Sequence, residues 1–327
     1  MKKTLLLIAT LLTSYVGMAQ ETYQPTAENL KAREQFQDEK FGIFLHWGLY
    51  SMMGTTEWIM TNRDINYKEY PKLAKTFYPS EFDADAWVKA IKAAGAKYIT
   101  ITTRHHDGFS LFKTATSTYN SVDGTPFKRD IIKEMADACQ RNGIKLHLYY
   151  SHLDWGREDY PLGRTGTGTG RPKEKANWAS YYKFMNTQLT ELLTNYGKVG
   201  AIWFDGWWDH DSDAKPFDWQ LEEQYAMIHK LQPQCLVANN HHHTPFPGED
   251  IQIFERDLPG ENKAGLSGQS IGRLPLESCQ TINEHWGYNI TDTLYKSPKE
   301  LIQMLVRAAG KNANLLLNIC LLYTSPS

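Results

Sequence analysis

Ala201-Ile202-Trp203-Phe204-Asp205-Gly206-Trp207-Trp208-Asp209 is an apolar run that ends on a carboxylate, a glycine and two tryptophans. It reads as a short buried strand that delivers Asp205 into an aromatic-walled space. A carboxylate removed from water costs free energy unless it is paired or used. Aromatic walls suit the apolar face of a sugar ring. The plainer reading is a strand end whose Asp caps the following helix.

The same strand-then-helix rhythm extends outward from this stretch. Strand-like segments fall at 41–47, 96–103, 145–150, 201–205, 235–240, 251–255, 276–281 and 315–319. Helix-like segments fall at 83–94, 129–142, 174–196, 219–231 and 298–310, with Asp83 and Ser297 as amino-terminal caps and Gly95, Gly143 and Gly197 as stops. Alternating strands and helices predict a parallel sheet, and eight strands predict an α/β fold closed as a (β/α)8 TIM-like barrel. Helices are short or missing in the later part, so the barrel should be irregular. A Gly/Thr/Arg-rich stretch from Arg157 to Lys173 reads as a loop on the active face, or as an inert surface insertion.

Composition narrows the function. The 327 residues carry a net charge of −2, so nothing points to a nucleic-acid partner. Aromatic residues make up 13%, including 10 Trp and 18 Tyr, as carbohydrate-handling proteins often do, though a large core would also use them. Cys139, Cys235, Cys279 and Cys320 have neither metal-ligand spacing nor a disulfide framework. Lys2 and Lys3 precede an apolar run from Leu5 to Leu12, and Gly17-Met18-Ala19 supplies small residues before a cut ahead of Gln20. Residues 1–19 therefore read as a signal peptide of a secreted or periplasmic bacterial protein. The run is too short to span a bilayer, and no Cys follows the cut to take a lipid anchor. Residues 20–319 read as the catalytic barrel. Residues 320–327 fit no domain ending and read as a non-native, adapter-derived tail. Oligomeric state is not legible.

Chemistry in such barrels gathers at the carboxyl ends of the strands. Those ends here carry His46, Arg104-His105-His106-Asp107, Tyr149-Tyr150-Ser151-His152, Asp205, Asn239-Asn240-His241-His242-His243 and Glu255-Arg256, and the seventh strand carries Glu277. A lone His at a strand end is usually structural. Histidines at four ends and carboxylates on three other strands are harder to dismiss. Two chemistries fit. A metal site is one, although adjacent His on a strand point to opposite faces. Glycoside hydrolysis by two carboxylates is the other, with one carboxyl protonated and one ionised.

The motifs Lys40-Phe41-Gly42-Ile43-Phe44-Leu45-His46-Trp47-Gly48, Glu57-Trp58, Arg104-His105-His106-Asp107-Gly108-Phe109, Tyr149-Tyr150-Ser151, Trp203-Phe204-Asp205-Gly206 and Trp286-Gly287-Tyr288 resemble the α-L-fucosidases of glycoside hydrolase family 29. The resemblance covers most of residues 36–319. It implies exo-acting, retaining hydrolysis of α-L-fucosides, with Asp205 as nucleophile and no metal or cofactor. It implies that His46, Glu57, Trp58, His105, His106, Tyr150 and Trp203 hold the sugar. For the acid/base it points first to Glu277 and second to Glu255, with Arg256 as a substrate-binding residue or simply a salt-bridge partner of Glu255. Family members usually run on into a β-sandwich after the eighth strand, so the sequence is expected to lack that domain by truncation. The alternatives are a retaining glycosidase for galactosides, an inactive fucose-binding protein and a metal hydrolase.

Overall fold

The computed structural model describes residues 23–266 and 268–321. The expected signal peptide and residues 322–327 of the expected tail lie outside the described residues. The element order is α1 (Ala27–Glu39), β1 (Phe41–Leu45), α2 (Ile59–Asn62), α3 (Ala84–Ala93), β2 (Tyr98–Arg104), α4 (Ile131–Asn142), β3 (Lys145–Ser151), α5 (Trp178–Asn195), β4 (Ala201–Asp205), α6 (Leu221–Leu231), β5 (Leu236–Asn239), β6 (Gln252–Glu255), β7 (Leu276–Thr281), α7 (Pro298–Gly310) and β8 (Ala313–Asn318). Side chains of Asp83, Asp130, Asn177 and Ser297 accept from backbone amides in the first turns of α3, α4, α5 and α7. Each such cap stabilises its helix by about 1 kcal/mol.

All strand pairs are parallel, in the order β5-β4-β3-β2-β1-β8-β7-β6. β8 returns to pair with β1, and the remaining gap between β5 and β6 is spanned by a bridge of Ala238 to Ile251. The sheet is thus a nearly closed (β/α)8-type barrel. Among the described residues no α-helix separates β5 from β6 or β6 from β7, which makes the barrel irregular as expected.

Strand alternation splits the core into two layers. Side chains such as Phe44, Tyr98, Tyr149, Trp203 and Cys279 pack together inside the barrel. Their neighbours, such as Ile43, Ile99, Tyr150 and Phe204, pack outward against the helices.

The sequence reading had no helix before β1. α1 exists nonetheless, although only Asn29 and Phe36 of its thirteen residues are buried. Phe36 closes the amino end of the barrel, with its ring 5.3 Å from Tyr98 and 5.9 Å from His147. Asn314 Nδ2 donates to the Phe36 carbonyl at 2.7 Å and holds the helix against β8. At Gly42 of β1 a Cβ would sit 2.3 Å from the Tyr98 ring. Glycine there lets Tyr98 turn into the barrel, where its hydroxyl reaches Glu277.

Candidate active site

Loops and strand ends at the carboxyl face surround a cavity of about 230 Å³. At roughly 30 Å³ per water that is the bulk of seven or eight waters, close to one pyranose ring. His46, His105, His106, Asp205 and Glu255 face it from the strand ends, and Glu57, Trp58, Trp208 and Trp286 face it from the loops. A larger cavity, about 640 Å³, lies at the opposite end of the barrel between α1 and α4, lined by dispersed Lys, Glu and Gln with no converging carboxylates.

Asp205 ends β4 and is 9% exposed. Its Oδ1 accepts from the Gly206 amide at 2.8 Å and from Trp208 Nε1 at 2.9 Å, and its Oδ2 accepts from the Tyr149 hydroxyl at 2.9 Å. Burial, and then the charge of Glu255, push its carboxyl up to about 6 against these bonds. Gly206 follows at φ 92°, a conformation that suits glycine and turns the chain so that Trp208 can reach back.

Glu255 ends β6. Asn240 Nδ2 donates to its Oε2 at 2.8 Å, and His242 Nε2 donates to the same oxygen at 2.9 Å. Asn240 Nδ2 also lies 3.4 Å from Asp205 Oδ1. One amide thus touches both carboxylates, which keeps an oxygen of each within two hydrogen-bond lengths of the other, about 6 Å. Burial works to raise the Glu255 carboxyl, but the bonds from His242 and Asn240 and the charge of Arg256 outweigh it and hold the group below its usual range.

Two histidines are fixed as acceptors. His46 Nδ1 lies 2.7 Å from Asn318 Oδ1, while Asn318 Nδ2 donates to the Trp286 carbonyl. His106 Nδ1 lies 2.7 Å from Ser151 Oγ, whose hydroxyl donates to the Leu153 carbonyl. In both rings Nδ1 must therefore carry the proton, which leaves Nε2 with a lone pair. Burial holds His46 down to about 4 and His106 well below its ordinary value, so both are neutral at pH 7. His106 Nε2 stands 3.5 Å from Asp205 Oδ2. His105 is likewise depressed by burial, and its ring stacks on Tyr149 at 5.4 Å.

Glu57 Oε2 accepts from the Gly287 amide at 2.7 Å and from Thr56 Oγ1 at 3.1 Å, which ties the Trp286 loop to the loop after β1. Trp58 stacks on Trp208 with ring centroids 5.5 Å apart. Trp203 is stacked with Tyr149 at 5.6 Å and lines the cavity.

Three expected residues lie elsewhere. Glu277, the first choice for the acid/base, is the second residue of β7 and is fully buried below the cavity, which it does not line. Its oxygens accept from Trp203 Nε1 at 2.8 Å and from the Tyr98 hydroxyl at 2.7 Å. Burial pushes it up to about 7. Tyr150 points outward to the helices and donates to Gln188 of α5 at 2.7 Å. Its neighbour Tyr149 faces the site, because β3 alternates and Tyr149 pairs in register with Trp203. Arg256 neither lines the cavity nor meets Glu255. Its guanidinium donates to the Glu284 carbonyl at 2.8 Å and lies 5.2 Å from the Trp286 ring centroid.

Sequence reasoning did not single out Tyr149, Trp208, Asn240, His242, Trp286 or Asn318 as individual site residues. Parity with Trp203 and Asp205 was the available signal for Tyr149. Arg164, from the Gly/Thr/Arg-rich loop, also reaches the cavity and packs over Trp208 at 5.3 Å, so that loop does belong to the active face. Among the described residues no group of three or more His, Cys, Asp or Glu is arranged to hold a metal ion.

A profile of the α-L-fucosidase family matches residues 10–322. Plasma α-L-fucosidase of Rattus norvegicus is 30% identical over 96% of this chain and 70% of its own length. A putative α-L-fucosidase of Caenorhabditis elegans is 28% identical over 93% of this chain and 64% of its own length, so the chain spans about two thirds of these relatives. Among solved structures, α-L-fucosidase isoenzyme 1 from Paenibacillus thiaminolyticus is 38% identical with a TM-score of 0.76, covering 88% of this chain and 70% of that one. The α-L-fucosidase AlfC from Lactobacillus casei, in complex with its α-L-fucose product, is 29% identical with a TM-score of 0.77, covering 90% and 93%. The chain belongs to the α-L-fucosidase family.

Proposed function

We propose that the protein is a retaining exo-α-L-fucosidase with Asp205 as nucleophile and Glu255 as acid/base. The observation that carries this reading is the pair of carboxylates bridged by Asn240 in a cavity the size of one sugar. Their closeness suits a retaining pair, since an inverting pair stands farther apart to admit a water. In the first half-reaction Asp205 attacks the anomeric carbon as the bond to the glycosidic oxygen breaks, and Glu255 gives that oxygen its proton. In the second, Glu255 takes a proton from water, which attacks the anomeric carbon and releases Asp205. The Nε2 lone pairs of His46 and His106 accept from ring hydroxyls. Phe44 and Trp286 offer an apolar surface for a ring face or a C6 methyl.

Hydrolysis of 4-nitrophenyl α-L-fucoside, compared with the α-galactoside, tests the reading. Turnover of the fucoside and poor turnover of the galactoside are expected. Fucose binding without turnover by the folded protein contradicts it.

In the free enzyme the nucleophile must be ionised, so kcat/KM should fall on the acid side with a midpoint near 6, the value to which Asp205 is pushed. Part of that push is the charge of Glu255. E255Q should therefore move the acid limb to lower pH, measured with an activated aryl fucoside.

Glu277 serves as a bracket for Trp203 and Tyr98 under the sugar. E277Q should keep turnover of an unactivated fucoside, where loss of a general acid costs about 10²–10⁴-fold. Because the Glu277 carboxyl is pushed up to about 7, the native protein holds this proton where the unfolded chain releases it. Stability should thus fall as pH rises toward 7, and thermal melts of E277Q should lose that slope.

The basic start and apolar run of residues 2–12, followed by small residues at 17–19, support export to the periplasm or medium. Amino-terminal sequencing of the protein made in a bacterial host tests this, with a mature start at Gln20 as the expected result.

A further inference from the structure

His242 belongs to the turn after β5, directly after Asn240 and His241, whose ring pairs with the buried Glu249. Its φ is 67°, in the left-handed region that a residue with a Cβ seldom occupies. Such strain persists only where the surroundings compensate it. In this conformation the ring meets Glu255. His242 Nε2 lies 2.9 Å from Glu255 Oε2, the oxygen that also accepts from Asn240. An ionised carboxylate only accepts, so Nε2 is the donor. The ring stands between the sugar-sized cavity and a neighbouring one of about 430 Å³ that Asp211 and His243 also line.

We propose that His242 is a positioning residue for the acid/base. Together with Asn240 it saturates Oε2, so that Oε1 alone exchanges the catalytic proton, and its Nδ1 stores that proton when Oε1 is bare. The inference rests on the fucosidase reading with Glu255 as acid/base. The two side chains hold one exchangeable proton between them. It sits on Nδ1, giving imidazolium and carboxylate, or on Oε1, giving imidazole and carboxylic acid, and it passes between these sites through solvent. Breaking the glycosidic bond moves the Oε1 proton to the leaving oxygen, and His242 stays neutral with Nε2–H on Oε2. Deprotonating the attacking water returns one proton to Oε1 and restores the pair.

The surrounding charges agree with this. Burial pulls the His242 imidazole down, but the bond and charge of Glu255, aided by Asp205, outweigh it and Arg164 and hold the ring above its ordinary value. Asp211, His241 and His243 line the neighbouring cavity with it, and His243 is itself lowered by burial and by His241 and His242, against the charge of Asp211. Arg256, His46 and Cys279 interact electrostatically with Glu255, and none of them bonds its carboxylate. The one-proton state of the pair therefore extends above the range a lone carboxyl would hold.

H242N and H242G test the proposal, and both residues tolerate the left-handed backbone. For H242N, kcat/KM on 4-nitrophenyl α-L-fucoside should be nearly unchanged. On an alkyl α-L-fucoside, whose leaving group needs protonation, it should fall by about 10–100-fold. The alkaline limb of the pH profile should move toward acid. Added imidazole should restore turnover of the alkyl fucoside in H242G. Equal losses on both substrates, with the limb unmoved and no rescue, overturn the role of His242. E255Q run alongside separates the two claims. Leaving-group dependence in E255Q but not in H242N removes His242 alone, and its absence in E255Q removes the acid/base assignment and His242 with it.

Discussion

D205N is expected to abolish turnover of every α-L-fucoside while leaving the fold intact. The loss should be on the order of 10⁴–10⁶-fold in kcat, the scale on which removal of a covalent nucleophile acts. The substitution is nearly isosteric, and the amide oxygen can still accept from the Gly206 amide and Trp208 Nε1. Burial already disfavours the Asp205 charge, so removing it should leave the melting temperature unchanged or higher. A small residue at the same position opens a second readout. With D205G, azide can enter where the carboxylate stood and attack an activated α-fucoside to give β-L-fucosyl azide. Full activity of D205N would end the nucleophile assignment.

The second large effect concerns Glu255. E255Q removes the proton donor for the leaving group and the base for water. Against an alkyl fucoside kcat/KM should drop by about 10²–10⁴-fold, while 4-nitrophenyl fucoside, whose leaving group departs without help, should keep most of its kcat/KM. Its kcat should fall, because breakdown of the intermediate has lost its base. Azide should restore kcat by attacking the fucosyl-enzyme, and the product should be α-L-fucosyl azide, opposite in configuration to that from D205G. The same experiment on E277Q should show neither leaving-group dependence nor rescue. If the pattern followed Glu277 instead, the placement of Glu277 beneath Trp203 would not describe the working enzyme.

The barrel was legible because its strands are buried on both faces. Such strands read as near-continuous apolar runs, as in Ala201–Phe204 and Leu315–Leu317. α1 was not legible, because a mostly polar helix with one inserted aromatic carries no apolar periodicity. The placement of Asp205, His46 and His106 at the carboxyl face was legible because each ends a strand or follows one closely. Their partners were not: Asn318, Ser151 and Asn240 come from other strands or turns, and only closure of the barrel brings them near.

The two departures at Tyr150 and Glu277 have plain physical causes. A strand turns successive side chains to opposite faces, so a pair of tyrosines offers the site only one. A carboxylate at the second position of a strand lies deep in the barrel, whereas Glu255 at the end of its strand emerges at the carboxyl face. Both signals were present in the spacing of the sequence. His242 was harder to see, because its contact with Glu255 depends on a left-handed turn within three consecutive histidines.

The most direct test of the double displacement is to trap it. The protein is incubated with 2-deoxy-2-fluoro-α-L-fucosyl fluoride, which slows both steps and lets the intermediate accumulate, then digested and read by mass spectrometry. A fluorofucosyl adduct on the peptide carrying Asp205, absent from D205N, is the predicted result. An adduct on another carboxylate, or turnover with no adduct and release of the β-anomer of fucose as first product, would contradict it.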